Sequence, residues 1–503
     1  MKRTRHFITT LALWLGTGLL LADACAEGNP LAGSRPNIIF ILTDDQGYGQ
    51  LGCQGHPWLK TPNIDSLRRE GMAFEDFQVS PTCSPTRAAL LTGNVPFKNA
   101  VSTTNGPRSC LVLSAVTLPQ LLKKAGYTTG IFGKWHLGDE EPYQPSARGF
   151  DETFVHGSGG IGQPNDVPGN KYFDPVIRHN GSFVKTKGFC TDVFFAEALR
   201  WIEKNKGKPF FAYLPTNAPH SPYIAPEKNA QRFRAMGLNE NGAGFYGMIE
   251  NIDENVGRLM QRLREWNLDD NTLVVFMSDN GFATVAAAQG QVGKVGKTPL
   301  FAYQAGLKGH KKTPHEGGTR VPAFFRWKGK IKEDTTCNAL TAHIDFLPTL
   351  LELAGANVPH AIDGKSIVPL LENPKADWPD RTLCFHIGRW SDKVGPDDSK
   401  YDTKAGFAVR DARYRWVNGE ELYDVLADRG ETKNLASAKP SIATKMKESY
   451  DHWWDEVRPF LVHEKADRFG PNPFHEVYEN QKASSGIPEW PQPAFAGPTD
   501  PNL

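Results

Sequence analysis

Two uninterrupted apolar runs constrain the fold more than any other feature of the sequence. Residues 37–42 (NIIFIL) and residues 272–277 (TLVVFM) are rich in β-branched and aromatic side chains. Such runs are typical of strands that are buried on both faces of a parallel sheet. Segments of this kind alternate with helical segments along the chain. The sequence therefore predicts an α/β fold, with a large mixed, mostly parallel sheet sandwiched by helices.

Four predicted strands, including residues 127–132 and 209–214, lead directly into polar residues. These residues comprise two pairs with acidic members, two histidines and a lysine: Asp44 and Asp45, Lys134 and His136, His220, and Asp279 and Asn280. In open α/β sheets the carboxyl ends of the strands line one crevice, where ligands bind. We therefore expect these side chains to converge on a single site.

The chain divides into four predicted segments. Residues 1–24 form a signal peptide, residues 35–377 the domain that contains the large sheet, residues 378–460 a smaller C-terminal α+β subdomain, and residues 461–503 a Pro- and aromatic-rich tail that wraps the surface. Within the large domain, residues 139–190 are rich in Gly, Pro and Asn, and residues 283–310 in Gly, Ala and Gln. These compositions favour surface loops or insertions.

The N-terminus has the pattern of an export signal. Basic residues at positions 2, 3 and 5 precede an apolar run over residues 7–21 and a small-residue site, Ala22-Asp23-Ala24. The apolar run is shorter than the roughly 20 residues that a membrane-spanning helix needs. We predict an exported protein, periplasmic or secreted, with no transmembrane segment in the mature chain. A membrane anchor, or lipidation of Cys25, is the alternative.

The overall charge argues against nucleic-acid binding. The chain has 503 residues, with 57 Lys and Arg against 56 Asp and Glu, for a net charge of +1. Proteins that bind nucleic acid through a broad basic surface carry a marked positive excess. We therefore expect no nucleic-acid partner.

The cysteines indicate neither a disulfide framework nor a zinc site. The chain has seven, which are widely spaced, and no C-x-x-C pair. One or two disulfide bridges are compatible with the sequence, which does not determine their pairing.

The segment around Cys83 predicts an anion site at the start of a helix. Pro85 suits the first turn of a helix, which places Cys83 just ahead of it. Arg87 follows one turn later and can reach back towards the same point. A helix N-terminus and a guanidinium group together attract an anion, and Cys83 adds a side chain capable of nucleophilic attack. The alternative is a buried apolar cysteine or half of a disulfide.

The polar pairs after the two apolar runs predict a metal site. Asp44, Asp45, Asp279 and Asn280 offer oxygen ligands, which suit Ca²⁺ or Mg²⁺ rather than zinc. The competing interpretation is that Asp44 and Asp279 only cap the helices that follow their strands.

Six motifs, in order along the chain, resemble the signature of the type I sulfatases of the alkaline-phosphatase-like superfamily. They are TDDQG at 43–47, TPNID at 61–65, CSPTR with LTG at 83–93, GKWHLG at 133–138, SDNG at 278–281 and EGGTRVP at 316–322. The ELYD segment at 421–424 is similar to the family's C-terminal subdomain. The resemblance runs from residue 35 to past residue 430, and it implies that residues 35–377 form a catalytic sulfatase domain.

The resemblance also implies a cofactor and a modification. In such enzymes a separate maturation enzyme oxidises the motif cysteine, here Cys83, to formylglycine (3-oxoalanine), whose hydrate attacks sulfur. Collapse of the hydrate to the aldehyde then releases sulfate, so that water need not attack sulfur. A Ca²⁺ ion, with Mg²⁺ as the less favoured choice, would be bound at the metal site by Asp44, Asp45, Asp279, Asn280 and the modified Cys83.

Roles for the remaining site residues follow from the same resemblance. Arg87 and Lys134 would hold the nucleophile, and His136 would be the base for the collapse step. His220 would contact the leaving group as sulfate ligand or general acid. Lys311 best matches the sulfate-binding lysine, with Lys308 and Lys312 close enough to be alternatives. The segment His343-Ile344-Asp345 is read as a structural helix start.

These features predict an exported sulfatase that hydrolyses sulfate monoesters, of a sulfated carbohydrate and of aryl alcohols. The first alternative is a phosphonate or phosphate ester hydrolase of the same superfamily. The second is a non-catalytic protein that binds sulfated glycans, with Cys83 unmodified. The basic segment 308–315 favours an anionic substrate, and a solvated basic loop is the alternative. We expect the loops at 139–190 and 283–315, with His386, Arg389 and Trp390, to govern selectivity.

Overall fold

The computed structural model describes residues 31–283, 290–389, 406–461, 463 and 473–493. The predicted signal peptide, Cys25 and Trp390 lie outside the described residues. In the described part the chain forms these strands: β1 (Asn37–Thr43), β2 (Met72–Phe74), β3 (Phe77–Gln78), β4 (Thr128–Lys134), β5 (Glu152–His156), β6 (Val176–His179), β7 (Ser182–Lys185), β8 (Phe210–Pro215), β9 (Thr272–Ser278), β10 (Gln291–Val295), β11 (Thr298–Phe301), β12 (Ala323–Arg326), β13 (Thr335–Cys337), β14 (Thr341–Ala342), β15 (Leu383–His386), β16 (Phe407–Arg410), β17 (Tyr414–Val417) and β18 (Glu421–Asp424).

The helices connect these strands and cover the sheet. They are α1 (Pro62–Arg69), α2 (Cys83–Thr92), α3 (Leu118–Lys124), α4 (Cys190–Asn205), α5 (Glu227–Ala235), α6 (Glu240–Glu265), α7 (Glu316–Thr319), α8 (Phe346–Leu353), α9 (Val368–Glu372), α10 (Pro440–Val457) and α11 (Pro473–Ser484). None of the helices in the described residues is long and apolar enough to cross a membrane.

The centre of the protein is a ten-stranded sheet in the order β13-β2-β12-β9-β1-β8-β4-β5-β6-β7. Its middle strands β9, β1, β8, β4 and β5 are all parallel to one another. Antiparallel pairings join β12 to β9 and β6 to β5 on the two flanks. The predicted α/β class, with a mixed and mostly parallel sheet, is confirmed.

Strand β1 shows why the apolar runs have no polar face. Ile38 and Phe40 point into one core cluster, which contains residues of helices α2, α3 and α8. Ile39 and Ile41 point into a second cluster, with residues of α1, α4 and α6. Because successive side chains of a strand alternate between faces, a strand covered by helices on both sides must be apolar throughout.

The prediction for residues 139–190 was wrong. This stretch supplies β5, β6 and β7, and thus extends the central sheet instead of lying outside it. Its glycines and prolines occur between short strands, so composition alone suggested a loop. Residues 291–301 of the second predicted loop likewise form a hairpin, β10–β11.

Helix α6 contains several glycines in its first turns. Asn239 caps the helix by accepting a hydrogen bond from the Gly242 N–H at 2.8 Å. A Cβ on Gly244 would lie 1.9 Å from the carbonyl oxygen of Tyr223. These glycines permit close packing and do not break the helix.

The C-terminal region forms a small antiparallel sheet with a helix, as the predicted α+β class requires. Strands β15, β16, β17 and β18 pair in sequence order, and α10 packs against β16.

The tail contacts the large sheet through Trp490. Its Nε1–H donates to Glu197 Oε2 at 2.8 Å, and its ring is buried beside Phe154. From Leu31 onwards the chain forms one compact unit, so the division at residue 377 stays a prediction.

A buried ion network joins the C-terminal sheet to the large domain. Glu316, at the start of α7, accepts hydrogen bonds from Arg320 at 2.5 Å, Arg410 at 3.0 Å and Arg415 at 2.9 Å. Asp76 pairs with Arg410 at 2.6 Å. The side chains of Glu316, Arg410 and Arg415 have no solvent exposure. Breaking such a network leaves buried charges without compensation, at a cost of about 3–5 kcal/mol.

Glu431 makes this junction sensitive to pH. Its Oε2 accepts a hydrogen bond from the Glu316 N–H at 2.9 Å. Burial raises the pKa of Glu431 to about 7 from an ordinary value of 4.5, although Arg415 opposes the shift. A carboxyl group whose pKa is raised on folding stabilises the fold fully only below its unfolded pKa, and the folded state loses stability as pH rises through that window.

We therefore expect Glu431→Gln, which keeps the acceptor but cannot ionise, to gain stability relative to the wild type between about pH 4.5 and about pH 7. The gain in unfolding free energy above that range should reach at most about 3 kcal/mol. Denaturant unfolding at several pH values measures it, with the exposed Glu420→Gln as the control. A difference between wild type and Glu431→Gln that does not change with pH would contradict the assignment.

Candidate active site

The helix that begins at Cys83 brings a thiol into the interior of the protein. All ten residues of α2 are buried, and Cys83 is its first residue, where we had expected it just ahead of the helix. Thr82 precedes it in extended conformation, and Pro85 lies in the first turn. Cys83 forms no disulfide with any cysteine of the described residues. Burial raises the pKa of the Cys83 thiol, although Lys134 and Lys311 oppose this shift.

The four predicted oxygen ligands meet at the ends of two adjacent strands. Thr43 of β1 and Ser278 of β9 are partners in the parallel register, so the residues that follow them emerge side by side. The Asp45 N–H donates to Asp279 Oδ1 at 3.2 Å, and Asn280 Nδ2 donates to Asp45 Oδ1 at 2.9 Å. Asp45 has a φ of 68°, which turns the chain sharply after the strand.

Three cations neutralise the carboxylates. Lys134 Nζ lies 2.6 Å from Asp44 Oδ2, and Lys311 Nζ lies 2.6 Å from Asp45 Oδ1. The guanidinium group of Arg87 donates to Asp279 Oδ2 at 2.8 and 3.1 Å and to the Lys134 carbonyl oxygen at 2.9 Å.

Some ligand atoms are left without partners, which fits a metal ion. Within the described residues, Asp44 Oδ1 and Asn280 Oδ1 are buried and accept no hydrogen bond. One ligand atom each of Asp44, Cys83 and Asp279 lies within 4.8 Å of the other two. Burial and the charge of Asp44 raise the pKa of Asp279, so two carboxylates this close favour a cation between them. The donor set of oxygens suits Ca²⁺ or Mg²⁺.

Two histidines border the site. His136, with a φ of 59°, has Nε2 3.0 Å from the carbonyl oxygen of Thr104. Its Nδ1 is buried without a hydrogen-bond partner in the described part of the chain. His220 Nε2 lies 3.7 Å from Asp45 Oδ2, and its Nδ1–H donates to the Ser221 carbonyl oxygen at 2.7 Å. Burial lowers the pKa of both rings, to about 4 for His220.

The structure separates the three candidate lysines. Lys311 pairs with Asp45 inside the site, as its motif position indicated. Lys308 instead donates to Glu421 Oε2 at 2.9 Å and to the Tyr423 hydroxyl at 2.8 Å, outside the site. Lys312 is exposed, and its backbone N–H donates to the Pro81 carbonyl oxygen at 2.9 Å.

The residues that we expected to govern selectivity, and the segment at His343, lie in different parts of the structure. The ring of His386 packs between Phe97 and Phe407 at 5.9 and 6.4 Å, and it lines a cavity of about 230 Å³ with Lys98 and Trp453. Arg389 lies nearer to His136, since its Nη2 donates to Thr104 Oγ1 at 3.0 Å. His343 begins a short helical turn before α8, so the structural interpretation of that segment is confirmed.

Sequence reasoning missed residues that support the histidines. A Cβ on Gly159 would lie 2.6 Å from Cε1 of His136, so this position accepts only glycine without displacing the ring. The Tyr172 hydroxyl donates to the carbonyl oxygens of His220 and Ser221 at 2.9 and 3.0 Å. Both residues lie in the stretch that we took for a surface insertion, so no signal drew attention to them.

Comparison with known proteins agrees with this arrangement. The family model described as sulfatase matches residues 36–356, and the model of the N-sulphoglucosamine sulphohydrolase C-terminal region matches residues 309–454. The chain is 35% identical to human N-acetylgalactosamine-6-sulfatase over 388 residues, which cover 72% of this chain and 70% of that protein.

The chain belongs to the sulfatase family. It is also 32% identical to human arylsulfatase A, over 82% of this chain and 80% of that protein. Among solved structures, Ps i-CgsB in complex with k-i-k-neocarrahexaose superimposes with a TM-score of 0.70 at 30% identity, over 86% of this chain and 96% of that one. The sulfatase is thus a sulfuric ester hydrolase with the alkaline-phosphatase-like fold.

The metal site predicts a thermal response to cations. We expect Ca²⁺ to raise the Tm of chelator-treated sulfatase by a few degrees, and more than Mg²⁺ does, because binding to the folded state alone stabilises it. Asp44→Asn and Asn280→Ala should abolish the Ca²⁺ shift. The control is Asp270→Asn, an exposed carboxylate that pairs with Lys328. Equal Tm values with and without either ion would refute the site.

Proposed function

We propose that this sulfatase is an exported enzyme that hydrolyses sulfate monoesters of a sulfated carbohydrate, and aryl sulfates, to the alcohol and inorganic sulfate. The nucleophile is the hydrate of formylglycine made from Cys83. The observation that carries the proposal is the position of Cys83: it begins a buried helix beside Asp44 and Asp279, within the electrostatic influence of Lys134 and Lys311.

The cations of the site are suited to a sulfate ester. Lys134, Lys311 and Arg87 carry positive charge in a buried crevice, where charge stabilisation is stronger than in water. We assign Lys311 to the sulfate oxygens, and Lys134 and Arg87 to holding residue 83 in position. The ion pairs of these cations with Asp44, Asp45 and Asp279 fix their positions before substrate arrives.

The two histidines receive the proton-transfer roles. We assign His220 to the leaving group, as sulfate ligand or general acid, and His136 to the base that acts on residue 83. The negative charge of a bound sulfate ester favours protonation of His220 and so opposes the lowering of its pKa by burial. His136 suits a base because burial keeps its ring neutral, with Nδ1 unpartnered among the described residues. The contact of its Nε2 with the Thr104 carbonyl oxygen holds the ring in place.

Two groups beyond the unmodified chain complete the proposed site. A Ca²⁺ ion bound by Asp44, Asp45, Asp279, Asn280 and residue 83 would supply positive charge that makes a nearby hydroxyl more acidic. Formylglycine would supply an aldehyde that hydrates to a nucleophile, and a separate maturation enzyme would produce it.

The relatives support a carbohydrate substrate. N-acetylgalactosamine-6-sulfatase is named for a sulfated sugar, and the Ps i-CgsB structure holds k-i-k-neocarrahexaose, an oligosaccharide. Export, which rests on the N-terminal pattern at residues 1–24, would bring the enzyme to extracellular or periplasmic glycans.

Mass spectrometry of the native-host protein tests the nucleophile directly. We expect the peptide that contains residue 83 to show the mass of CHO in place of CH₂–SH. Cys83→Ala should lower kcat on an aryl sulfate by at least about 10³-fold and leave the Tm unchanged within a few degrees. Cys384→Ala, a half-buried cysteine of the C-terminal sheet, is the control. An unmodified Cys83 in fully active enzyme would overturn the proposal, and an unmodified Cys83 in inactive protein would favour a glycan-binding role.

The role of His220 predicts a dependence on the leaving group. A general acid matters most when the leaving alcohol is a poor one. We expect His220→Ala to lower kcat/KM about a hundredfold or more for a sugar sulfate, and much less for a nitrophenyl sulfate. The exposed His475→Ala serves as the control. Equal losses on both substrates would assign His220 to sulfate binding alone.

Matched aryl esters separate this proposal from its enzymatic alternative. We expect the highest kcat/KM on the sulfate, compared with the phosphate and phosphonate esters of the same phenol. A preference for either phosphorus ester would identify a phosphonate or phosphate ester hydrolase instead.

A further inference from the structure

The basic segment 308–315 is divided between paired and unpaired cations. Lys308 and His315 both face Glu421, with nitrogen–oxygen distances of 2.9 and 3.3 Å. Lys311 is paired with Asp45. Lys312 alone among these lysines forms no ion pair with any described residue. The segment is therefore not a uniformly solvated basic loop, because Lys308 and Lys311 each pair with a carboxylate whereas Lys312 does not.

Lys312 is held close to the entrance of the site. Its backbone N–H donates to the carbonyl oxygen of Pro81, two positions before Cys83, and its φ is 67°. The preceding residue, Lys311, reaches inward to Asp45. The chain thus directs two consecutive lysines differently, one into the buried site and one to its exposed margin.

Arg389 lies on the same margin. Its Nη2 donates to Thr104 Oγ1 at 3.0 Å, and the carbonyl oxygen of Thr104 contacts His136 Nε2 at 3.0 Å. The adjacent backbone is tightly seated, since a Cβ on Gly388 would lie 2.0 Å from the Ser102 carbonyl oxygen. In the described residues the guanidinium group bonds to a hydroxyl and forms no ion pair with a carboxylate.

The positive charges of Lys312 and Arg389 repel each other. Partial burial of the Lys312 side chain, and next to it the positive charge of Arg389, lowers the pKa of Lys312. Lys311 adds to this shift and Asp45 opposes it. No carboxylate in the described residues forms an ion pair with either side chain, so an anion that binds between the two cations reduces their mutual repulsion. A sulfate ester or a carboxylate group that binds there accepts charge-assisted hydrogen bonds from both side chains.

We propose that Lys312 and Arg389 form a second anion subsite, which binds an anionic group of the carbohydrate substrate other than the sulfate that is removed. The inference rests on the proposed function. It specifies the substrate class as a saccharide with a second sulfate or a uronate carboxylate close to the scissile ester. The scissile sulfate itself remains with Lys311 and the buried site.

Three matched saccharides test the subsite, with the same scissile sulfate and a second sulfate, a carboxylate or a hydroxyl at the neighbouring position. We expect the wild type to prefer the two doubly anionic saccharides to the hydroxyl form by about tenfold in kcat/KM. Whichever of the two is preferred identifies the natural second anion. A wild-type preference below about twofold for both would overturn the proposal.

Variants then assign the preference to the two residues. The measured quantity is the kcat/KM for a doubly anionic saccharide divided by that for the singly anionic one. Lys312→Gln and Arg389→Gln should each reduce this ratio by about fivefold. The double variant should reduce it to near one. Lys330→Gln, which removes an exposed lysine outside the site, should leave the ratio as in the wild type. Losses of equal size on both substrate classes would show that the residues do not read the second anion.

The design keeps this inference distinct from the proposed function. Sulfate release from a nitrophenyl sulfate, which has no second anion, reports on the proposed function alone. Should the wild type release no sulfate from any compound, calorimetric binding of the doubly anionic saccharide to Cys83→Ala, with and without Lys312→Gln, still tests the subsite. Affinity that Lys312→Gln leaves unchanged would overturn it.

Discussion

The active site of this sulfatase depends on carboxylates and cations that neutralise one another inside the protein. Asp44, Asp45 and Asp279 are almost completely shielded from solvent, and each faces its own cation. A buried charge without a partner is costly, so these pairs can exist only together. The parallel sheet makes this possible, because it brings the carboxyl ends of β1, β4 and β9 to one edge. The charges of the site and the topology of the sheet therefore require each other.

Much of this arrangement could be predicted from local sequence. Asp44 and Asp279 follow apolar runs whose lack of a polar face indicates burial on both sides, and this is enough to place their ends together. The proline at position 85 likewise indicated the start of α2. The motifs then selected Lys311 from three neighbouring lysines, and the structure places that lysine against Asp45.

The predictions that were wrong, and the residues that were missed, share one physical cause. Strands β5, β6 and β7 are short and separated by glycines and prolines, so their composition resembles that of a loop. Strand β5 is buried because it pairs with β4 and because Phe154 packs against the late residue Trp490. Strands β6 and β7 then extend the sheet from β5. Gly159 and Tyr172 were missed for the same reason. The reach of Arg410 and Arg415 to Glu316 is also non-local, and no pattern along the chain reveals it.

That non-local network has a consequence for the order of events during synthesis. Glu316 and Asp76 are made long before Arg410 and Arg415, so a chain that has emerged only to residue 377 holds both carboxylates with Arg320 as their one partner in the network. At that stage the two carboxylates lack the two C-terminal cations that make their burial favourable. The finished fold exposes only 2% of Cys83. The maturation enzyme that we propose would therefore have to reach this residue before the fold is complete.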